Sequence, residues 1–453
     1  MNKDKAELNR YVHDLCAEVR DSYKINPKLY AGDAIKRGLR NADGTGVMAG
    51  VTTVGSVQGY YLRDYEKVPI PGELYYRGIN VMDLVEYHAS SRTFGFEETA
   101  YLLLFGKLPS REQLDTFNAV LTEARVLPDG FFEDMILKAP SKNIMNKLER
   151  SVLALYSYDD NPDDTSLENI MRQSIELIGC VPTIVADAYA VKRHVFDGRS
   201  LHIHNPKEML SAAENFLRLV RSHKSYSEDE ALLLDLMLIL HAEHGGGNNS
   251  AFACRTLTSS GTDTYSAIAA AVGALKGPLH GGANAKVAEM LGYIAENVPD
   301  VTDGAIRDYL VKLLNKEAGD GSGVIYGLGH AVYTISDPRA EAIKKFARKM
   351  ADEKGFAKDF DRIETVERVG IPLLMERVGR ELPMCANVDL YSGLVYRMLD
   401  IPGDLYTPLF ATARIAGWCA HRLEESLTGG RIIRPAYRSS MKYSDYVPIE
   451  DRT

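Results

Sequence analysis

Apolar positions recur at helical spacing through most of this chain. Residues 5–23 (KAELNRYVHDLCAEVRDSY) place apolar side chains between charges as an amphipathic helix does. Residues 46–78 break the pattern. That stretch, GVMAGVTTVGSVQGYYLRDYEKVPIPGELYYRG, is rich in Val, Thr, Tyr and Gly and predicts short strands and turns. Helical periodicity resumes at Val81 and continues with few breaks to Glu425. Pro109, Pro128, Pro140, Pro182, Pro206, Pro278, Pro372, Pro383 and Pro402 each fall near an expected helix boundary. Residues 158–166 (YDDNPDDTS) are acidic and turn-rich, which predicts a solvated loop. No internal repeat, low-complexity tract or compositional shift divides the chain. The expected fold class is all-α with a small β element near the N-terminus.

The run at 231–240 is apolar on nearly every side, which predicts a buried helix. It delivers His241 and His244 to its inner end, beside Gly245, Gly246 and Gly247. His280 stands where Gly277-Pro278 stops one helix and Gly281-Gly282-Ala283 starts another. A histidine ahead of a helix N-terminus feels the positive end of the dipole, which keeps it neutral and able to polarise a carbonyl. His330, between glycines and before a helix-like run, repeats the arrangement. A lone histidine in such a place is more often a satisfied core residue; two of them point to a site. His241 and His244, three apart on one helix face, could also be metal ligands, although no third ligand stands at a suitable spacing. Asp389 opens a helix at 390–399, where it is either an N-cap or an ionised general base. Arg414, a lone cation in LFATARIAGW, requires an anionic partner, because an unpaired buried charge is costly. Gly327 and Gly329 form neither GxGxxG nor a P-loop. Together these groups suit activation of a carbon acid. Asp389 would remove a proton beside a carbonyl, a neutral histidine would hold the enolate oxygen, and arginines would grip carboxylates.

Composition narrows the partners. The net charge of −9 over 453 residues excludes a broad basic surface for nucleic acid. An anionic ligand would therefore be held by a few placed arginines. Hydrophobic content of 45% and charged content of 25% are those of a globular protein. The five cysteines (Cys16, Cys180, Cys254, Cys385, Cys419) are scattered, odd in number and in no CxxC pair, as expected of a reducing, cytoplasmic compartment. The N-terminus, MNKDKAELNR, reads as a helix start and not as a leader. The 231–240 run is too short to span a bilayer and carries Asp235, so no membrane association is expected.

HAEHGGGNNSAF, GPLHGGAN, GLGHAVY with DPRA, NVDLYSGLVY and RPAYR, in this order, together with AYLLLFGKLPS at 100–110, closely resemble the citrate synthase family. The resemblance runs from about Gly46 to the C-terminal tail. It implies a two-domain all-α homodimer that condenses acetyl-CoA with oxaloacetate, without metal or redox cofactor. The large domain would comprise residues 1–281 and 395–453, and the small domain 282–394. By motif, His280 would stabilise the acetyl-CoA enol, Asp389 would take the methyl proton, and His330 would protonate the oxaloacetate carbonyl. His244, His330, Arg339, Arg414 and Arg434 would hold oxaloacetate and citrate. Arg434, after the Gly429-Gly430 break, would serve the neighbouring subunit. Val324, Ile325, Gly327 and Gly329 would face CoA. The same motifs also fit 2-methylcitrate synthase, which uses propionyl-CoA. An inactive oligomer binding CoA or dicarboxylates would lack one of His280, His330 and Asp389, and all three are present. One departure stands out. Many relatives carry a basic residue a few positions after the GLGH-type histidine, for CoA phosphates; here Ala331-Val332-Tyr333-Thr334 has none, and Lys344, Lys345 or Arg348 could substitute.

Overall fold

The structure is a computed structural model that describes residues 35–452 apart from 42, 65, 380–382 and 429. The helix expected over residues 5–23 lies outside the described residues. Two compact units divide the chain: Met1–Ala49 with Arg434–Thr453, and Gly50–Ile433. In the first, a single 3-10 turn at Arg37–Leu39 is followed by an antiparallel bridge between Arg40 and Gly46, and a second turn spans Ile449–Asp451.

The second unit begins with the expected β element. Strands β1 (Gly55–Arg63), β2 (Glu66–Tyr76) and β3 (Ile79–Asn80) form an antiparallel meander whose register shifts between Gln58 and Tyr60. Helices follow without further strands among the described residues: α1 (Val81–Ser91), α2 (Phe96–Phe105), α3 (Arg111–Ala124), α4 (Ile144–Leu155), α5 (Leu167–Asp197), α6 (Ala212–Val220), α7 (Glu228–His241) and α8 (Asn249–Thr258). Then come α9 (Thr264–Lys276), α10 (Ala283–Asn297), α11 (Asp303–Leu314), α12 (Pro338–Glu353), α13 (Ala357–Val378), α14 (Asp389–Met398) and α15 (Tyr406–Leu427). Capping boxes start three of them, Ser110 with Gln113, Ser211 with Glu214 and Ser227 with Glu230, each satisfying two otherwise orphaned backbone N–H groups.

Two prolines depart from the expected boundaries. Pro182 lies inside the 31-residue α5 and Pro372 inside the 22-residue α13. An interior proline costs about 3 kcal/mol. In α5 every side chain from Leu177 to Tyr189 is buried, and that packing holds both halves in line. Helix α5 is long and apolar enough to cross a membrane, a length the 231–240 run does not reach, yet 83% of its most apolar stretch is buried inside the protein. The 158–166 loop is also more anchored than its composition suggests. The Asp159 carboxylate is 4% exposed and accepts from Arg172 Nη2 (2.7 Å), Gln173 Nε2 (2.8 Å) and Tyr265 Oη (2.8 Å).

The hairpin of β1 and β2 packs unusually close to its neighbours. A Cβ on Gly55 would lie 2.9 Å from Glu243 Cγ, one on Gly59 2.5 Å from the Val332 carbonyl, and one on Gly72 2.0 Å from the Ser336 carbonyl. Three glycines thus let β1 and β2 lie directly on the loops that carry His244 and His330.

Candidate active site

Helix α7 stops at His241, so His241 and His244 do not share a helix face. Their roles divide. His241 turns inward: its Nε2 is hydrogen-bonded to Tyr396 Oη (2.9 Å), its ring lies 4.5 Å from Phe410, and its carbonyl accepts from Arg414 Nε. His244 lies beyond the helix, just before Gly245, whose φ of +83° turns the chain sharply. The His244 ring meets that of His330 edge-on, with centroids 5.2 Å apart. Behind them Glu243 and His421 form a fully buried pair, 2.9 Å from Oε1 to Nε2. Burial favours protonation of Glu243, but His421 and Arg414 outweigh it and hold the carboxyl below its ordinary range.

His280 follows the end of α9, and Gly282 caps α10 two residues on. Its Nε2 is hydrogen-bonded to the Ser250 hydroxyl at 2.9 Å. Burial, reinforced by the Arg414 charge, lowers its pKa to about 4, so the ring is neutral at pH 7. His244 is likewise pushed well below its ordinary value, by burial and by Arg339.

His330 is held by another arrangement than the expected one. No helix begins beside it: residues 331–337 form a loop and α12 starts at Pro338. Instead Nδ1 accepts the backbone N–H groups of Val332 and Tyr333, both at 3.0 Å. An acceptor at Nδ1 puts the ring's proton on Nε2. Gly327 and Gly329 take φ of +87° and +93°. The turn they make is stitched to the approach to α14: Gly329 N donates to the Cys385 carbonyl (2.7 Å), Asn387 N to that of Gly327 (2.9 Å) and Asn387 Nδ2 to that of Gly329 (3.0 Å).

Both arginines are buried. Arg339, 4% exposed, pairs in two places with Asp337, at 3.0 and 2.7 Å. Asp337 caps α12 and also accepts the N–H of Val388 (3.2 Å), so one carboxylate fixes Arg339 and the start of α14 together. Arg414, 2% exposed on α15, lies 4.6 Å over the Phe410 ring, and its Nη2 has no hydrogen-bond partner among the described residues. Burial lowers its pKa to about 10. Asp389 is the first residue of α14 and not its cap; Val388 occupies that position. Burial raises its carboxyl, Asp337 adds to the rise, and Arg339 and Arg414 oppose it, leaving the pKa at about 6. Such a group is ionised at neutral pH, yet far more basic than an ordinary aspartate.

The structure therefore gathers His244, His280, His330, Arg339, Asp389 and Arg414. Arg434 belongs to the other unit, where it is exposed in irregular backbone. Of the CoA-facing candidates, Ile325 is buried and Val324 is 46% exposed, while Leu279 beside His280 is fully exposed. Lys344, Lys345 and Arg348 are already engaged: Lys344 with Glu341 and Glu367 (2.7 and 2.9 Å), Lys345 with Glu86 (2.7 Å), Arg348 with Asp361 (2.6 Å). Thr334 is buried and donates its hydroxyl to the Gly59 carbonyl of β1. Among the described residues no group of three or more His, Cys, Asp or Glu could hold a metal ion. Ser250, Asp337, Tyr333 and Tyr396 were not singled out from the sequence. All four stand inside the family motifs, but Ser250 and Tyr396 touch histidines 30 and 155 residues away, which periodicity does not reveal.

The helical fold thus brings histidines of lowered pKa, a carboxylate of raised pKa and two buried arginines into one cluster. Residues 43–436 match the family model described as citrate synthase, C-terminal domain. The chain is 34% identical over 386 residues to citrate synthase from Haloferax volcanii, covering 84% of this chain and 93% of that one. It is 32% identical over 426 residues to 2-methylcitrate synthase 1 from Corynebacterium glutamicum, covering 92% of this chain and 99% of that one. A solved ternary complex of carboxymethyl coenzyme A and oxaloacetate with citrate synthase from Thermoplasma acidophilum superposes with a TM-score of 0.75 at 26% identity, over 93% of this chain and 100% of that one. The chain belongs to the citrate synthase family. It is an acyltransferase of the class in which the acyl group becomes an alkyl group on transfer.

Proposed function

We propose that the protein condenses acetyl-CoA with oxaloacetate and hydrolyses the resulting citryl thioester to citrate and CoA. The observation that carries this reading is a carboxylate of raised pKa, Asp389 at about 6, set in the field of Arg339 and Arg414 with neutral His280 held nearby under the Arg414 charge. Asp389 takes the methyl proton. The Ser250 hydroxyl occupies Nε2 of His280, which leaves Nδ1 to stabilise the enol oxygen. His330 donates from Nε2 to the oxaloacetate carbonyl as the carbon–carbon bond forms. His244, Arg339 and Arg414 hold the carboxylates, with Arg434 completing the clamp from the partner in a homodimer. Val324, Ile325, Gly327 and Gly329 face CoA. The reading calls for no metal or redox cofactor. It divides the chain into a large domain of 1–281 with 395–453 and a small domain of 282–394, closing over the substrates. A cytoplasmic location belongs to the same reading, supported by four described cysteines that are all free and buried.

A second reading, 2-methylcitrate synthase, is favoured by the Corynebacterium relative. One methylene changes binding by only about 1–3 kcal/mol, so a few side chains decide between the two. Thiol release from acetyl-CoA and from propionyl-CoA, each with and without oxaloacetate, tests both. Oxaloacetate-dependent release with the higher kcat/KM on acetyl-CoA is expected. The reverse order gives the second reading, and no release from either overturns both.

A further inference from the structure

We infer that Tyr333 is a positioning residue that sets the plane and the tautomer of His330; the inference rests on the proposed role of His330 as the donor to oxaloacetate. Tyr333 acts on His330 twice. Its backbone N–H donates to Nδ1 at 3.0 Å, and its ring stacks on the imidazole with centroids 4.5 Å apart and planes 28° from parallel. The same ring meets His244 edge-on at 5.6 Å and lies 5.7 Å from the Arg339 guanidinium. Two histidines and one arginine of the pocket thus share a single aromatic wall.

The wall itself has no freedom. Tyr333 is 1% exposed. On its far side the hairpin closes in: a Cβ on Gly72 would stand 2.7 Å from Cδ1 of the ring, and one on Gly59 2.6 Å from its Cα. Thr334, the next residue, is bonded to the Gly59 carbonyl. The ring is therefore pinned between β-strand backbone and the imidazole, and the hairpin is the rigid backing of the wall.

The chemistry of the side chain says which part matters. The Tyr333 hydroxyl is buried with no hydrogen-bond partner among the described residues, a cost with no return in stability. What the site uses is the flat π face. Stacking against a planar imidazole needs a ring, and an aliphatic side chain of similar size would fill the volume while leaving the imidazole free to turn. Once turned, His330 would exchange its two backbone donors for other partners and present the wrong nitrogen.

The test compares Tyr333→Phe with Tyr333→Leu in the full-length protein. Phenylalanine keeps the face and should keep kcat within about threefold, because the hydroxyl it removes bonds no protein group among the described residues. Leucine should lower kcat about 10- to 100-fold, the size expected when a reacting group is misplaced by an ångström or less. The KM for acyl-CoA should change far less. Crystal structures of both variants supply a readout independent of turnover: in the leucine variant the His330 ring should rotate and Nδ1 should leave the N–H groups of residues 332 and 333. Wild-type kcat in the leucine variant, equal losses in both variants, or an unmoved His330 ring would overturn the inference. If the wild-type protein turned over neither acyl-CoA, the proposed reaction would fall, while the crystal comparison would still decide whether Tyr333 orients His330.

Discussion

At Asp389 burial and two guanidinium groups pull in opposite directions, and the balance leaves a base with a pKa of about 6. His280, at about 4, does not titrate in the working range. The acid limb of the kcat/KM profile, which reports the free enzyme, should therefore fall about tenfold per pH unit below pH 6, since only ionised Asp389 removes a proton. A steady-state profile flat down to pH 4.5 would contradict this. The stability consequence has the opposite sense. The folded pKa exceeds the unfolded value of about 3.9, so the native state loses stability as pH rises from about 4 to 6. Asp389→Asn should remove that loss and stabilise the protein at pH 7 by up to about 2–3 kcal/mol, an increment that vanishes near pH 4 in denaturant titrations. The six residues gathered in the pocket were all legible as motif members. The means of keeping them in state was less so. For His280 the expected neutrality holds, but burial and Arg414 supply it rather than the helix start. For His330 the same signal misled, because no helix starts there and two loop N–H groups fix Nδ1 instead, and a loop's backbone direction leaves no mark in hydrophobic periodicity.

Among the elements, the hairpin is the one whose role exceeds its size. Val- and Tyr-rich composition predicted strands at 46–78, and β1, β2 and β3 fall at 55–80. The glycines between them read as ordinary turn and strand breakers, and only the contacts reveal that Gly55, Gly59 and Gly72 are points of backbone approach to the substrate loops. Gly72→Ala would drive a Cβ to 2.0 Å from the Ser336 carbonyl, so the hairpin and the 332–336 loop must part. The expected outcome is a loss of about 1–3 kcal/mol, as for other overpacked sites, together with a clearly raised KM for oxaloacetate. Thermal melts and initial rates check both, and an unchanged KM would deny the hairpin any part in shaping the site. The helices were legible as a class from their period, but Pro182 and Pro372 were not legible as interior residues. Local propensity assigns a boundary to each, and for Pro182 burial along α5 overrides it.

For the whole molecule, the citrate synthase family assignment and the all-α fold were both legible, because long motifs and a sustained helical period survive without any knowledge of contacts. A homodimer belongs to the proposed reading. Arg434 lies in a different compact unit from the pocket, and the proposal that it serves a neighbour concerns two chains. Mixing an Arg434→Ala chain with an Asp389→Ala chain addresses it. If Arg434 acts in trans, each heterodimer has one site with both defects and one with neither, and about half of wild-type activity per heterodimer returns. If it acts in cis, the mixture stays as inactive as its parents. Above all, the proposed chemistry requires that Asp389 be the base and that the rest of the pocket bind oxaloacetate without it. The most direct measurement is oxaloacetate-dependent thiol release from acetyl-CoA by Asp389→Asn, with oxaloacetate affinity determined in parallel by calorimetry. The expected result is a fall in kcat of about 10²- to 10⁴-fold, the range of a lost general base, at nearly unchanged oxaloacetate affinity. Near-normal turnover in that variant would contradict it.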